Sequence, residues 1–386
     1  MFSRLSITRE SRKLSEIRRA ELSLVAVVVV IGFLARIVVS ERGYNYDFGV
    51  WQILADGIGK GLTPWQATTY FYGPIWAHLL YFLKTLGNLT GVEFRLLIVL
   101  TLTLADLTIS YLIMRHKSVV FACVFFLNPI SIIITGYHNQ LDNLVIAIAC
   151  LGLLLVPQKV DGPLTRGDIV TLVLLWLSLS TKHLFLIFVI WMAMRQRDLK
   201  RQLTYLFVPP TLFVLSFVPF LPSSASTVEN LAGWSAENGP LWVLLGLENG
   251  LGPIPLTFFT VVSTAVIGWL VRRWPMSNAV FLYLVVVVIT TPNSAGQYFA
   301  IAAIGAIGLG TLWFAPYFAM ATYVLMLDYH GLHFSSESRI VGIIVLDDPV
   351  LTESIARFGL IPLSLMAGCI AFTLKSSRSK SSSVTV

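Results

Sequence analysis

The feature that most constrains this chain is a series of long apolar runs separated by short polar segments. The runs are roughly 15–21 residues long, close to the about 20 residues that a helix needs to cross a bilayer. They are rich in Leu, Val and Ile and do not alternate polar with apolar residues, which argues for helices rather than a membrane β-barrel. Only 12% of the residues are charged, against about 25% in a soluble domain. The sequence therefore predicts an all-α, polytopic integral membrane protein.

Basic residues cluster between the runs, and such clusters favour the cytoplasmic side of a membrane. Placing the clusters at 4–19, 115–117, 195–201, 272–273 and 375–380 inside predicts about 12 transmembrane helices, with both termini cytoplasmic. The predicted spans are residues 21–40, 94–114, 118–135, 141–157, 168–181, 184–195, 203–221, 254–271, 277–292, 297–314, 316–328 and 357–374.

This topology divides the chain into a basic cytoplasmic N-terminus (1–20), a transmembrane domain (21–374) and a disordered cytoplasmic tail (375–386) rich in Ser, Lys and Arg. Two long loops, residues 41–93 and 222–253, are predicted to lie on the outer side. The first is the candidate catalytic loop, and the second is predicted to close over an acceptor.

Two stretches of the first outer loop are predicted to be helices that lie in the outer interface. Residues 73–86 are apolar but short and amphipathic, and they contain His78 and Lys84. Counting them as a span would move the basic cluster at 115–117 to the outside, against the charge rule. Residues 47–60 form the second predicted interfacial helix. The tryptophans of this loop are expected to anchor it at the interface: Trp51, Trp65 and Trp76.

One acid stands out just after the first span. Asp47 lies in the segment Tyr44–Trp51, at the predicted boundary between membrane and water. One interpretation is structural, because an Asp at this place can start a helix. The other is a general base, which must be an ionised group within hydrogen-bond reach of the proton that it takes.

A second polar cluster lies between the third and fourth spans. It contains His138, Asn139, Gln140, Asp142 and Asn143, and the first four are candidates for binding a sugar. Asn, Gln and Asp side chains can form paired hydrogen bonds to sugar hydroxyls. Asp142 is also a candidate second acid. The alternative is a polar turn that serves only to connect two spans.

Lys182 and His183 interrupt the apolar residues between the fifth and sixth spans. A cation at this depth suits a phosphate group, and a plain loop is the alternative. Arg42 and Arg95 are weaker candidates for the same role. Gln297 opens a later span and adds a polar group on the same predicted side.

Other chemistries are not indicated. The sequence has no GxxxxGK[ST], HExxH, GxSxG or CxxC pattern, and its acids show no metal-ligand spacing. Neither a metal nor an organic cofactor is therefore expected. Cys123, Cys150 and Cys369 lie in apolar runs and are interpreted as packing residues. The net charge of +7 is spread over interhelical segments, which argues against nucleic acid as a partner.

At these residues the chain resembles the polytopic glycosyltransferases of the GT-C fold. It is most similar to the dolichyl-phosphate-glucose-dependent glucosyltransferases of N-glycan assembly, and more distantly to the GPI mannosyltransferase I subunit. The resemblance covers roughly residues 21–300. Its landmarks occur in this order: Asp47 with Trp51, Tyr72-Gly73-Pro74, Asp106, Asn128-Pro129, Gly136 to Gln140, Lys182-His183 and Gln297-Tyr298-Phe299.

The resemblance implies inverting transfer of a hexose, glucose or mannose, from a polyprenyl-phosphate sugar. Asp47 would be the catalytic base, and Lys182, His183 and Arg42 would bind the donor phosphate. The sugar or acceptor would be bound by these residues: His138, Asn139, Gln140, Asp142, Trp51, Tyr72 and Gln297. His183 departs from the Gln of the glucosyltransferases, so the donor sugar and the acceptor stay open.

The resemblance implies as partners the polyprenyl-phosphate sugar, a glycan or lipid-linked acceptor and membrane lipids, for a protein expected to be a monomer. A bacterial plasma membrane is the favoured location, with the endoplasmic reticulum as the alternative. The rival function is a transporter or flippase of a lipid-linked sugar, which would use the same polar groups as a substrate path. We find no matched halves in the sequence, which such proteins often show.

Overall fold

The computed structural model describes most of the chain up to residue 310. The described residues are 2–156, 159–223, 237–238, 253–291, 293–310, 315, 317–319, 321–322 and 325. Most of the second outer loop (222–253), much of the predicted span at 316–328, the span at 357–374 and the tail at 375–386 lie outside them.

The regular secondary structure of the described residues is helical apart from one two-residue antiparallel pair, β1 (Glu237–Asn238) with β2 (Asn293–Ser294). The prediction of an all-α protein is confirmed for this part of the chain. The helices are α1 (Phe2–Ser40), α2 (Tyr46–Gly59), α3 (Pro64–Ala67), α4 (Pro74–Thr90), α5 (Phe94–His116), α6 (Val119–Phe126), α7 (Pro129–Ile133), α8 (Asp142–Cys150), α9 (Arg166–Thr181), α10 (Phe188–Arg195), α11 (Leu199–Leu215), α12 (Pro253–Leu270), α13 (Met276–Thr290) and α14 (Tyr298–Leu309). Two π-helical turns, Ile134–His138 and Leu151–Leu155, follow α7 and α8, and 3-10 turns occur at His183–Phe185 and Val218–Ser223.

Three helical segments are long and apolar enough to cross a membrane: Glu21–Ser40, Phe94–His116 and Leu199–Phe220. A fourth is possible if α6 and the segment Pro129–His138, bent by 43°, count as one span. The protein thus has three or four candidate membrane-spanning helices within its described residues. The finer number of about 12 spans stays a prediction. The shorter apolar helical segments are Asp142–Leu155, Leu256–Leu270, Met276–Thr290 and Tyr298–Leu309.

The predicted span at 118–135 is broken by the pair Asn128-Pro129. Proline has no N–H to donate and disfavours a helical conformation in the residue before it, so the helix stops at this point. The Asn128 side chain accepts a hydrogen bond from Ile130 N at 3.1 Å and thereby starts α7. The helix resumes at an angle of 43° to α6 and ends in the π-helical turn Ile134–His138.

Residues 41–93, the predicted first outer loop, contain α2, α3 and α4, and α2 contacts both of the others. α2 and α4 begin within one residue of the predicted interfacial helices and contact each other. Trp51, Trp65 and Trp76 are all buried, and the rings of Trp51 and Trp76 meet edge to face at 5.8 Å. Rings that are enclosed by protein cannot contact lipid, so the predicted role of these tryptophans as interfacial anchors does not fit their burial. They belong to the buried core, where large rings stabilise the packing.

A buried ion pair joins the first two long helices. Arg36 of α1 and Asp106 of α5 are both 0% exposed, with Arg36 Nη2 at 2.8 Å from Asp106 Oδ2. The same oxygen accepts hydrogen bonds from Ser131 Oγ at 2.9 Å and Thr135 Oγ1 at 2.8 Å. Asp106 Oδ1 accepts from Asn143 Nδ2 at 2.5 Å. The carboxylate thus connects α1, α5, α7, the π-helical turn and α8.

We expect Asp106→Ala to lower the free energy of unfolding by about 3–5 kcal/mol, because it leaves the Arg36 guanidinium buried without a counter-charge. The matched control is Asp56→Ala, which removes an acid that is 54% exposed and paired with Lys84 at 2.5 Å. That loss should be about 1 kcal/mol or less. Denaturant titration of the purified protein in detergent measures both, and equal losses would show that Asp106 does not hold the bundle.

Candidate functional site

Asp47 lies in the first turn of α2 but does not cap it. The capping residue is Asn45, whose side-chain oxygen accepts a hydrogen bond from the backbone N–H of Asp47 at 2.7 Å. An acid in the first turn still favours the helix through its dipole. The Asp47 carboxylate, which is 24% exposed, is therefore left for contacts outside its own helix.

The carboxylate of Asp47 is held through one of its two oxygens. Oδ2 lies 2.6 Å from His138 Nε2 and accepts a hydrogen bond from Gln140 Nε2 at 2.5 Å. A carboxylate can only accept from an amide, so the NH₂ group of Gln140 must face Asp47. Within the described part of the chain Oδ1 accepts no hydrogen bond, so one oxygen is fixed and the other is available.

The surroundings keep Asp47 ionised. Burial alone would raise the pKa of this carboxyl, but the hydrogen bond and electrostatic attraction of His138, the hydrogen bond from Gln140 and the charge of Lys182 outweigh it. The pKa of Asp47 therefore lies below its ordinary value of 3.8. At neutral pH the group is a carboxylate, which is the form that a base requires.

Asn139 fixes the conformation of the segment from Gly136 to Gln140, which we call the corner and which carries His138 and Gln140. Its backbone is left-handed, with φ of +60°, a conformation that Asn adopts more readily than most residues. Its Oδ1 accepts from Arg95 Nε at 3.2 Å and its Nδ2 donates to Thr135 O at 3.0 Å. The polar atoms of Asn139 are thus occupied inside the protein, so it positions the corner rather than presenting an amide to a sugar.

Trp51 is engaged in the same way, because its indole N–H donates to Asn139 O at 3.2 Å and its side chain is buried. The interaction ties α2 to the corner. Gly136, its first residue, allows a close approach to α1, since a Cβ there would lie only 2.6 Å from Arg36 O. The first contact ties residues 136–140 to α2, and the second ties them to α1.

An ion pair between Asp142 and Lys182 lies beside the contact between Asp47 and His138. Asp142, at the start of α8, is 0% exposed, and its Oδ1 lies 2.6 Å from Nζ of the buried Lys182. Lys182 follows the last residue of α9 in an extended conformation, so its side chain leaves the helix end. The ammonium faces the rings of Tyr72 at 5.1 Å and Tyr298 at 5.4 Å, which favours its charge.

The phenol of Tyr72 is close enough to both acids, Asp47 and Asp142, to feel their charges. Burial and the charges of Asp47 and Asp142 together raise the pKa of its phenol well above the ordinary value, and Gln140 lies within hydrogen-bonding reach of it. The charge of Lys182 acts in turn on Asp47. The first-loop carboxylate, the amide-rich corner and the lysine between α9 and α10 therefore meet in one cluster, although they are far apart in sequence.

The remaining three predicted site residues differ in burial. Arg42 is exposed, and His183 is exposed too, although the charges of Lys182 and Asp142 act on its ring. Gln297 is buried at the start of α14, directly before Tyr298.

Two contributors were not among the predicted site residues, Tyr298 and Arg36. Tyr298 belongs to the landmark Gln297-Tyr298-Phe299, but only Gln297 was predicted to bind a ligand. Arg36 interrupts an apolar run, and that signal was available because charges inside a span are costly and need a partner. No three His, Cys, Asp or Glu side chains in the described ranges come together as a metal site would require.

Comparison with known proteins gives no match: no protein-family model, no curated protein and no solved structure is similar to this chain. The function is therefore argued from the residues and their geometry.

We expect Gln140→Leu to raise the pKa of Asp47, because the carboxylate loses one of the hydrogen bonds that hold the value down. Since the folded value lies below the unfolded one, ionised Asp47 stabilises the fold above its unfolded pKa, and this contribution fades as the pH falls through the folded pKa. Infrared pH-difference spectra in nanodiscs, with Asp47→Asn to identify the carboxyl band, measure the titration. An unchanged midpoint in Gln140→Leu would mean that this contact does not set the charge of Asp47.

Proposed function

We propose that this protein is an inverting glycosyltransferase that moves a hexose from a polyprenyl-phosphate sugar to an acceptor hydroxyl. One observation carries the proposal: the ionised carboxylate of Asp47 has Oδ2 fixed by His138 and Gln140 while Oδ1 accepts no hydrogen bond from the described residues. A general base requires this arrangement, with the charge present and one oxygen oriented for a proton. The resemblance of the motifs to the GT-C glycosyltransferases supports the same chemistry.

The proposed reaction balances with a single base. The acceptor oxygen attacks C1 of the donor sugar as its proton passes to Asp47 Oδ1. The bond between C1 and the phosphate oxygen breaks, and the lipid phosphate leaves with the electron pair. Attack from the face opposite the phosphate inverts C1. A phosphate leaves as a stable anion, so the step needs little help from a general acid, and it needs no redox cofactor.

Asp47 is a better base than its partner His138. The His138 side chain is 5% exposed against 24% for Asp47, and its Nε2 is already directed at the carboxylate. His138 and Gln140 instead orient the acid, as second groups commonly orient a catalytic one. Their contacts to Oδ2 leave Oδ1 as the oxygen for the acceptor.

The finer architecture belongs to the same proposal. In it the chain has the GT-C fold with about 12 spans, and α2 and α4 lie in the outer interface beneath the aqueous side. Both termini would be cytoplasmic, and the cluster around Asp47 would face away from the cytoplasm, in a bacterial plasma membrane by preference. The membrane would then deliver the donor lipid sideways, so the protein needs no nucleotide-binding domain.

We expect Asp47→Asn to reduce transfer by about 10²- to 10⁴-fold, the usual contribution of a general base. The assay uses purified protein in nanodiscs, radiolabelled polyprenyl-phosphate glucose and mannose as donors, and a lipid extract of the source membrane as acceptor. The matched control is Asp56→Asn, which changes an exposed acid on the same helix and should leave the rate unchanged.

Two results would contradict the proposal. Transfer by Asp47→Asn within tenfold of the wild-type rate would remove Asp47 from the chemistry. Movement of the labelled lipid across liposomes without consumption of the donor would identify a flippase instead.

A further inference from the structure

A groove opens on the side of the helix bundle, towards the end of α5 that lies away from Asp47. It has a volume of about 440 Å³, which is within the range of ligand pockets, and is formed by α1, α5, α6 and the π-helical turn Leu151–Leu155. The lining of α5 runs from Leu107 to Met114, so at 1.5 Å per residue the groove is about 10 Å long. Two of its walls belong to candidate membrane spans, Glu21–Ser40 and Phe94–His116.

The surface of the groove is apolar. Most of its lining is aliphatic or aromatic, and two of its hydroxyl groups are already used. Thr108 Oγ1 donates to Leu104 O at 2.8 Å, and Ser110 Oγ donates to Ala122 O at 3.0 Å. The groove is open on one side, where Tyr111 is 45% exposed. A hydrocarbon chain from the surrounding lipid therefore fits this surface.

A positive charge lies where the groove ends. Arg115 follows Tyr111 by four residues and Thr108 by seven, so the three residues lie on one face of α5. The Cα–Cβ bonds of a helix tilt towards its N-terminus, which sets Arg115 towards the groove. Arg115 is exposed and forms no ion pair with a carboxylate in the described part of the chain. Its guanidinium is therefore available to an anionic group.

The neighbours of Arg115 strengthen this positive end. The ring of His116 bonds to the carbonyl of Leu154, next to Leu155 of the lining, and so ties the end of α5 to the wall of the groove. Lys117 adds a second cation. Glu21 adds a negative charge at the same end, because α1 and α5 run antiparallel along the groove. The two cations outweigh this acid.

The groove is separate from the cluster around Asp47. Arg95, which donates to the corner, and Met114, at the end of the groove, are about 28 Å apart along α5. The buried ion pair of Arg36 lies between them, and the Phe126 ring that lines the groove stacks on the Arg36 guanidinium at 4.5 Å. A lipid with its head group at the basic end of the groove therefore cannot also present that head group to Asp47.

We propose that the groove binds an acyl chain of an anionic phospholipid whose phosphate is held by Arg115. The apolar lining takes the chain, and the guanidinium donates charge-assisted hydrogen bonds to the phosphate oxygens. Basic pockets between membrane helices hold anionic head groups in this way. A zwitterionic lipid carries its own ammonium group, which the positive end of the groove repels. The site does not depend on the proposed glycosyl transfer, since it lies at the other end of α5 and its lipid is not consumed.

The head-group contact is tested by native mass spectrometry. The purified protein in detergent is incubated with equal amounts of phosphatidylglycerol and phosphatidylcholine that carry the same acyl chains. The wild-type protein should retain phosphatidylglycerol about fivefold or more over phosphatidylcholine, and Arg115→Gln should bring the two lipids to nearly equal retention. The matched control is Arg273→Gln, which changes an exposed arginine just after α12 and should leave the preference unchanged. Equal retention of both lipids by the wild-type protein would overturn the proposal.

The chain contact is tested by filling the groove. Val25→Trp places an indole in the lining and should abolish retention of the phospholipid. The matched control is Val27→Trp on the same helix, because Val27 is 55% exposed and lies outside the lining. That variant should retain the lipid like the wild type. Retention by Val25→Trp at the wild-type level would place the lipid elsewhere and overturn the groove as its site.

A third measurement needs no variant protein. Phosphatidylglycerol with a diazirine on its acyl chain is cross-linked to the wild-type protein in phosphatidylcholine nanodiscs, and the modified peptides are mapped. Cross-links should concentrate on Tyr111 and Cys123, which line the groove, and excess phosphatidylglycerol should remove them where excess phosphatidylcholine does not.

Three cross-linking results would overturn the proposal. Cross-links spread evenly over the exposed faces of α11 and α12 would indicate ordinary contact with the bilayer. Cross-links that spare the lining would mean that another part of the chain, or a second copy, fills the groove. Displacement of the probe by a polyprenyl phosphate more readily than by phosphatidylglycerol would assign the groove to a polyprenyl lipid instead.

Discussion

The rest of the structure depends on the carboxylate of Asp106, buried between the long helices. A buried charge must be paired and hydrogen-bonded, because its desolvation otherwise costs more free energy than a folded protein has to spare. Asp106 meets this requirement with donors from Arg36, Ser131, Thr135 and Asn143, which lie on different segments. Satisfying one carboxylate therefore fixes how these segments sit against α5.

The position of the candidate site follows from that arrangement. Thr135 belongs to the π-helical turn, and Asn143 to the first turn of α8, so Asp106 holds the corner from both sides. The corner between them carries His138 and Gln140 to the carboxylate of Asp47. An interaction inside the bundle thus orients the group that we propose as the base. The break at Asn128-Pro129 contributes, because a straight helix would carry the corner elsewhere.

Local features could be predicted from the sequence, and long-range partners largely could not. Apolar runs and short amphipathic stretches predicted α1, α5, α2 and α4, because periodicity and length determine such elements locally. The density of polar residues around Asn139 also identified the corner. The pairing of Arg36 with Asp106 and of Lys182 with Asp142, however, joins residues 70 and 40 positions apart. No local sequence pattern determines which buried charged side chains pair with each other.

The errors have physical reasons as well. Asn45 was available as a cap two residues before Asp47, and the first-turn position of Asp47 follows from that cap. The tryptophans of residues 41–93 were assigned to the interface by composition, whereas their ring partners are distant in sequence: Trp51 packs on Trp76, and Trp65 packs on Phe217 and Phe220. The role of Lys182 was inferred from its own charge, and its partner Asp142 changes what that charge can bind.

The most direct test of the account measures whether Asp106 controls Asp47 through the corner. The titration of the Asp47 carboxyl is followed in Asp106→Asn, in Gln140→Leu and in the double variant. If the account is right, Asp106→Asn raises the pKa of Asp47 at least as much as Gln140→Leu does, and the double variant adds nothing further. An Asp106→Asn protein that is folded and titrates like the wild type would contradict it.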